Sequence, residues 1–173
     1  MKTTNTTVPS RTDIVKEALD NIASDAGITK MPFQIKAATD AVLKLQEEQG
    51  ILLQAHAGLG KTYIVLLAIK HLLDNDLLKI QSDWPMPILW VTPAAVIPQN
   101  LEVINQFGLT GKIFPISYAS FRGNLGEKIY WDKTKHPYYE TYLYNWKPSA
   151  MPSMVVFDEC QGLKNDTSSQ TQL

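Results

Sequence analysis

The sequence predicts an α/β fold, a three-layer sandwich with a mostly parallel sheet. Short apolar runs alternate along the chain with longer segments whose apolar residues recur every three or four positions. The runs are typical of buried strands, and the longer segments are typical of helices that cover them. The first run also leads through a glycine-rich turn directly into a helical segment. Strands that alternate with helices are joined by crossover connections and therefore pair in parallel.

The composition is that of one ordinary globular domain. The chain has 173 residues, of which 45% are hydrophobic, enough for a sizeable core. The Thr-rich residues 1–10 are expected to form a disordered leader before a domain that covers 11–173. Because the sequence has neither a signal-peptide pattern nor a run of about eighteen apolar residues, we expect an intracellular protein, not secreted and not in a membrane. The net charge of -1 favours neither presence nor absence of a nucleic-acid partner.

Two helices are expected before the first strand. Apolar side chains recur at helical spacing over residues 11–23 and again over residues 33–45. Gly27 separates these segments, and the second helix is expected to end near Gly50.

The remaining elements alternate between strands and helices. In chain order we expect a strand, a helix, a strand, a helix and two strands, at residues 51–53, 61–73, 88–91, 96–107, 113–118 and 154–157. The first of these strands is short and wholly apolar, which suits a strand buried on both faces of a parallel sheet.

The glycine-rich turn at residues 55–62 has the sequence Ala-His-Ala-Gly-Leu-Gly-Lys-Thr, which fits a phosphate-binding loop between a strand and a helix. Small residues let backbone N–H groups approach phosphates, and the following helix adds its N-terminal donors and dipole. Lys61 is expected to neutralise β/γ-phosphate charge, and the Thr62 hydroxyl to reach Mg²⁺. The residues expected to contact the nucleotide are Ala57, Gly58, Leu59, Gly60, Lys61 and Thr62. The alternative is a chance glycine turn, and His56 is interpreted as a solvent-facing loop residue.

An acidic pair, Asp158 and Glu159, follows the last predicted strand. A nucleotide site of this kind needs one carboxylate for the Mg²⁺ shell and, for hydrolysis, a second to orient and deprotonate water. Because α/β folds bind ligands at the carboxyl ends of their strands, Asp158 is assigned to the metal and Glu159 to the water. The alternative is a pair that only ends a strand and caps a helix. The single cysteine, Cys160, is interpreted as a small packed residue rather than a nucleophile.

Together these motifs resemble the first RecA-like domain of superfamily 2 helicases and translocases, most closely the Swi/Snf-type branch of DNA-dependent ATPases. The resemblance covers roughly residues 31–173 and implies a RecA-like P-loop NTPase sandwich, incomplete at its C-terminus. In chain order it is carried by a glutamine motif, a phosphate loop, motif Ia, a Ser-Tyr segment, an acidic box and its tail. These are Pro32-Phe33-Gln34, Gly58-Leu59-Gly60-Lys61-Thr62, Val91-Thr92-Pro93 with Ile97-Pro98-Gln99-Asn100, Ser117-Tyr118, Asp158-Glu159-Cys160-Gln161 and Gly162-Leu163-Lys164-Asn165.

The resemblance implies roles for residues outside the loop and the acidic pair. Gln34 would contact adenine, and Gln161 would link the γ-phosphate to a second domain. Thr92, Pro93 and Ser117 would lie near the backbone of a bound nucleic acid.

The function implied is the ATP-binding half of a DNA helicase or translocase, with ATP and Mg²⁺ as cofactors and double-stranded DNA as the expected partner. The catalytic residues would be Lys61, Glu159 and Gln161. The sequence ends at Leu173, so we expect the second RecA-like domain, with its arginine finger, to be supplied in cis or in trans. Neither Arg11 nor Arg122 occupies a finger motif. The isolated chain is therefore expected to bind ATP and to turn it over slowly or not at all.

Two alternative functions remain open. One is a stand-alone ATP-binding switch that recruits a partner without moving along DNA. The other is a P-loop ATPase module without a nucleic-acid role. A second-domain sequence downstream would favour the translocase over both.

An insertion at about residues 122–150 is rich in Tyr and Trp among basic residues. Aromatic side chains can stack on bases while Lys and Arg contact phosphates, so this insertion is a candidate strand-binding segment. The alternatives are an insertion that packs its own small core and a surface for the second domain.

Overall fold

The computed structural model of the chain describes residues 9–29, 31–80, 87–124, 126–129, 143–146 and 152–159. The chain divides into two compact units. The first comprises Met1–Lys79 with Gln106–Gly108, and the second comprises Ile80–Asn105 with Leu109–Leu173.

The first unit is built from three helices: α1 (Arg11–Asp25), α2 (Pro32–Leu45) and α3 (Lys61–Asp74). All three were expected from the apolar periodicity, although α2 ends at Leu45, earlier than predicted. Each helix packs against the other two. The side chains that α1 and α2 bury are mostly aliphatic and small: Val15, Leu19, Ala23, Ile35, Ala38, Ala41 and Val42.

Helix α1 begins with a capping box. The Ser10 hydroxyl accepts a hydrogen bond from the Asp13 N–H, and the Asp13 carboxylate accepts one from the Ser10 N–H. The Ser10 hydroxyl also donates to the Asp13 carboxylate at 2.6 Å, and these bonds lower the pKa of Asp13. Ser10, which was predicted to belong to the disordered leader, is the N-cap of α1. Residues 1–8 of that leader lie outside the described part of the chain.

Helices α1 and α3 end in the same way. After α1, the N–H groups of Gly27 and Ile28 bond back to the carbonyls of Ser24 and Ala23. After α3, the N–H groups of the two corresponding residues bond back to two carbonyls of its last turn: Asp76 to Leu73, and Leu77 to Leu72. Both are Schellman motifs, which need a left-handed residue at the turn. Gly27 fills that position after α1 with φ +66°, whereas Asp76 fills it after α3 with φ +54°.

The strand predicted at residues 51–53 does not form. These residues have no regular secondary structure, and the Leu52 side chain is 79% exposed. Nor does any strand in the described ranges pair with them. A strand is stabilised by its hydrogen-bonded neighbour, which an apolar run of three residues does not specify.

The second unit contains a small, fully parallel sheet of three strands: β1 (Ile88–Thr92), β2 (Ile113–Ser117) and β5 (Met154–Phe157). The strand order is β2-β1-β5, with Thr92 opposite Ser117 and Val91 opposite Phe157. The α/β class and the parallel pairing are therefore confirmed, on a sheet smaller than expected. The central strand β1 is buried at every residue.

The two faces of β1 contact different elements of the second unit. Leu89 and Val91 point to one face and cluster with Phe121 of α5 (Tyr118–Asn124), a helix that was not predicted. Trp90 and Thr92 point to the opposite face, where Asn100 of α4 (Ile97–Gln106) reaches Thr92. A 3₁₀ turn, Ala94–Val96, connects β1 to α4.

The predicted insertion contains an antiparallel pair, β3 (Gly126–Ile129) and β4 (Leu143–Trp146). Most of its aromatic residues, including Tyr138 and Tyr139, lie outside the described ranges, so a role in strand binding stays a prediction. Within those ranges, no helix is both long enough and apolar enough to cross a bilayer.

The two Schellman motifs predict opposite effects of exchanging their central residues. Asp76→Gly should raise the free energy of unfolding by about 1 kcal/mol, because glycine adopts a left-handed conformation without steric cost. Gly27→Asp should lower it by a similar amount, since a Cβ there would meet no neighbouring atom within 4 Å and only the backbone term changes. Urea unfolding of both variants measures the two effects. A destabilised Asp76→Gly protein would contradict this interpretation.

The buried His71 of α3 predicts a stability loss in mild acid. Burial lowers the pKa of His71, and Asp74 opposes this by raising it. The unfolded chain therefore takes up the proton at a higher pH than the folded chain does. This contribution to stability is fully present above the usual histidine pKa of about 6.5 and is lost as the pH falls below it. Thermal unfolding of wild type and His71→Gln measures it: between about pH 7.5 and about pH 5.5, wild type should lose more of its Tm. Parallel pH profiles of the two proteins would exclude His71 as the cause.

Candidate functional site

The glycine-rich loop of the first unit leads directly into α3. Gly58 and Gly60 have φ of +81° and +72°, values that side-chain-bearing residues rarely adopt. The Ile64 N–H donates to the Gly60 carbonyl at 3.1 Å, which is the first helical bond of α3. The N–H groups of the preceding first-turn residues, Lys61 to Tyr63, therefore have no acceptor within the helix. They provide hydrogen-bond donors and positive dipole charge, the properties that bind an anion.

The Lys61 ammonium bonds to its own loop. Its Nζ atom lies 3.2 Å from the Ala55 carbonyl oxygen and 3.5 Å from that of His56. The Leu59 N–H donates to the same His56 carbonyl at 3.4 Å. These bonds fold the loop around the ammonium group, and a phosphate bound there would compete for it.

Gln34 connects α2 to the loop through both ends of its side-chain amide. Its Oε1 atom accepts from the Met31 N–H at 3.0 Å, which caps α2. Its Nε2 atom donates to the Leu59 carbonyl at 3.2 Å. The contact is so close that a Cβ on Gly60 would lie 2.5 Å from Nε2. The amide thus links α2 to the loop, and one Nε2 hydrogen is left to donate elsewhere.

A cleft of about 390 Å³ adjoins this link within the first unit. Gln34, Gly58, Gly60 and Tyr63 line one part of it, and the turn of residues 27–29 lines another. Its volume falls in the range of small-molecule sites. A polar amide, an aromatic ring and exposed backbone around one cleft can bind a planar heterocycle by hydrogen bonding and ring contact.

Asp158 of the second unit lies at the end of β5, where hydrogen bonds fix both its backbone and its side chain. Its N–H donates to the Val91 carbonyl at 2.8 Å, which extends the pairing of β5 with β1 by one residue. Its Oδ2 atom accepts from the Thr92 hydroxyl at 3.3 Å and from the Trp90 indole N–H at 3.5 Å. The described residues donate no hydrogen bond to Oδ1.

The chain turns sharply after Asp158. The Tyr118 hydroxyl donates to the Asp158 carbonyl at 2.6 Å, and Phe157 packs edge-on against Phe121 with ring centroids 5.6 Å apart. Glu159 follows with an exposed side chain and a left-handed backbone, φ +54°. Its exposed carboxylate is accessible to water.

The residues predicted to contact nucleic acid have distinct environments. Thr92 is fully buried, and its hydroxyl is hydrogen-bonded to Asp158, so a contact from this side chain would require it to become exposed. Pro93 is exposed. Ser117 caps α5, because its hydroxyl accepts from the Ser120 N–H at 3.1 Å. Nucleic-acid contacts at these positions stay predictions.

Several predicted features lie outside the described part of the chain. Among them are Gln161, Cys160 and the tail of the acidic box at residues 162–165. Of the two arginines, Arg11 lies 3.8 Å from the Glu47 carboxylate in an exposed ion pair. The side chain of Arg122 is not described.

The sequence analysis assigned no role to three residues beside predicted site residues: Trp90 and Asn100, which hydrogen-bond to Asp158 and Thr92, and Tyr63, which lines the cleft beside Gln34. The sequence pattern could have indicated two of them, Trp90 and Asn100. Trp90 is two positions from Thr92 in a strand and therefore shares its face. Asn100 is four positions before the buried Ile104 and therefore shares the inward face of α4. A polar residue on an apolar face signals a buried partner.

The described residues contain no cluster of three or more His, Cys, Asp or Glu side chains that could hold a metal ion by themselves. Mg²⁺ at phosphate sites needs no such cluster, because it is held by one or two protein oxygens, phosphate oxygens and water. The chain matches no protein-family model, no curated protein and no solved structure. The functional conclusion therefore rests on the residues of the chain and their contacts.

The two loop glycines predict different costs of adding a methyl group. Gly58→Ala places its Cβ where no atom lies within 4 Å, so only the left-handed backbone costs stability, about 1–2 kcal/mol. Gly60→Ala adds the clash with Gln34 and should be destabilised further. Urea unfolding compares the two variants.

Truncating Gln34 provides the control for that clash. In the double variant Gln34→Ala/Gly60→Ala, the second substitution should cost no more than Gly58→Ala does, since the clashing amide is gone. A Gly60→Ala cost that is the same with and without Gln34 would rule out the close contact.

Proposed function

We propose that this chain is the ATP-binding half of a superfamily 2 DNA helicase or translocase, with a RecA-like fold. The observation that carries the proposal is the glycine loop, whose left-handed residues lead straight into the first turn of α3. The link from Gln34 to this loop and the adjoining cleft support it, because they place a side-chain amide and an open cleft next to the phosphate donors.

In this proposal the phosphates bind at the N-terminus of α3. The N–H groups of its first turn and of Ala57, Gly58 and Gly60 donate to phosphate oxygens, and that of Leu59 first releases the His56 carbonyl. Lys61 exchanges the Ala55 and His56 carbonyls for β- and γ-phosphate oxygens, a charge-assisted and therefore stronger bond. Thr62, at the second position of the helix, contributes its hydroxyl to the Mg²⁺ shell.

The base is proposed to enter the cleft beside Gln34. Adenine presents both a donor and an acceptor on one edge, and a glutamine amide can match both. Gln34 can use its second Nε2 hydrogen, or exchange its bond with Leu59 for one with the base. In either case a base in the cleft contacts Gln34, the residue that is hydrogen-bonded to Leu59 of the phosphate loop.

The acidic pair is proposed to serve metal and water. The Asp158 carboxylate would hold Mg²⁺, and the exposed Glu159 would orient a water and accept its proton. The water oxygen would then bond to the γ-phosphorus as the bond from that phosphorus to the leaving ADP breaks. Bound Mg²⁺ supplies charge neutralisation for the phosphates. Gln161 is proposed to link the γ-phosphate to a second RecA-like domain, in cis or in trans. Double-stranded DNA is the proposed nucleic-acid partner.

A titration with a fluorescent ATP analogue tests the proposal. Wild-type protein should bind the analogue more tightly with Mg²⁺ than with a chelator, and Lys61→Ala should weaken binding about tenfold or more, since a charge-assisted phosphate contact is lost. Lys70→Ala is the matched control, because it removes a lysine of the same helix that pairs with Asp74. Equal affinity of wild type and Lys61→Ala would refute the proposal.

Hydrolysis measurements test the incomplete active site. The chain alone, with or without duplex DNA, should release phosphate slowly, and addition of a second RecA-like domain should accelerate it. Rapid DNA-stimulated turnover by the chain alone would contradict the need for an arginine from another domain.

A further inference from the structure

Two buried polar residues in the second unit lead to the proposed metal carboxylate. Thr92 is 0% exposed and Asn100 is 5% exposed. Buried polar side chains are costly unless they are hydrogen-bonded, so their partners indicate what they do. Asn100 Nδ2 lies 3.4 Å from the Thr92 hydroxyl, and that hydroxyl lies 3.3 Å from Asp158 Oδ2.

The chemistry of the three groups fixes the direction of these bonds. An amide nitrogen can only donate, and an ionised carboxylate can only accept. The Thr92 hydroxyl therefore accepts a hydrogen bond from the Asn100 amide and donates its own hydrogen bond to the Asp158 carboxylate. The Asn100 amide occupies one of the two lone pairs of the hydroxyl and favours the orientation in which its hydrogen points at the carboxylate.

The bonds also distinguish the two oxygens of Asp158. The Thr92 hydroxyl and the more distant Trp90 indole N–H both approach Oδ2. Within the described ranges, donors approach only Oδ2, so these residues hold the carboxylate by one oxygen and leave Oδ1 to a cation or its water shell. Backbone pairing to Val91 and the Tyr118 hydroxyl fix the main chain of the same residue.

We propose that Thr92 and Asn100 are positioning residues for Mg²⁺: the chain of hydrogen bonds Asn100–Thr92–Asp158 orients the Asp158 carboxylate so that Oδ1 enters the metal shell. This inference rests on the proposed function. It gives Thr92 a role through Asp158, in place of a contact with nucleic acid. Residues that orient metal ligands commonly change metal affinity by about tenfold or more when they are removed.

The test measures the Mg²⁺ gain, defined as the affinity for a fluorescent ATP analogue with Mg²⁺ divided by that with a chelator. Thr92→Val keeps the shape of the side chain and removes the hydroxyl, so the gain should fall about tenfold while affinity in chelator is unchanged. Thr92→Ser keeps the hydroxyl and should retain most of the gain. Asn100→Leu, which leaves Thr92 and Asp158 in place, should reduce the gain to a smaller extent.

Thr39→Val is the matched control. Thr39 is another buried threonine, and its hydroxyl donates to the Ile35 carbonyl of its own helix, not to a carboxylate. Like Thr92→Val, Thr39→Val removes a buried hydrogen bond, but it should leave the Mg²⁺ gain intact. Thermal unfolding of each variant shows that it is folded, and if Thr92→Val does not fold, Asn100→Leu decides.

The outcomes separate this proposal from the proposed function. If wild type shows no Mg²⁺ gain, the proposed function fails, and this inference fails with it. If Asp158→Asn abolishes the gain but Thr92→Val and Asn100→Leu keep it, only the positioning role is overturned. A Thr92→Ser protein as poor as Thr92→Val would also overturn it, because the hydroxyl would then not be the active feature.

Discussion

The second unit depends on the complete burial of its central strand. Every residue of β1 is shielded, including Thr92, whose hydroxyl must find partners inside the protein. Strand alternation sends Leu89 and Val91 to the aliphatic and aromatic cluster on one face and leaves Thr92 on the other. Because β5 is paired in register beside β1, the carboxylate that follows it comes within reach of that hydroxyl. Packing of the sheet and placement of Asp158 thus have one cause.

In the first unit the corresponding constraint is the close approach of an amide to a glycine. Gln34 fits against Gly60 only because that position has no Cβ, and its other end caps α2. The loop is thereby connected to α2, the helix that precedes it in the chain, as well as to α3, which follows it. The Lys61 ammonium is bonded to carbonyl oxygens of its own loop. A phosphate that binds Lys61 must therefore displace these carbonyls.

The sequence was sufficient for helices α1 to α4 and for the three parallel strands, because the apolar pattern of each segment records which side is buried. It failed at residues 51–53, since an apolar run does not reveal whether a neighbouring strand is present to pair with it. It also missed α5, whose first residue, Tyr118, was assigned to the preceding strand. Motifs selected the loop and Asp158 as candidates, whereas the hydrogen bond from Thr92 to Asp158 was not foreseen, because a hydroxyl contact across two strands depends on register. A glycine-free left-handed turn at Asp76 was likewise invisible in the sequence.

The left-handed backbone at Glu159 has a consequence for how this chain can evolve. A residue with a Cβ loses about 1–3 kcal/mol in such a conformation, and glycine would avoid most of that loss. A chain selected for stability alone would therefore drift toward glycine at this position. In the proposed function, keeping a carboxylate there exchanges folding stability for side-chain chemistry, a trade typical of residues that act on a substrate. Among homologues, the position should tolerate glycine only where that chemistry has been lost.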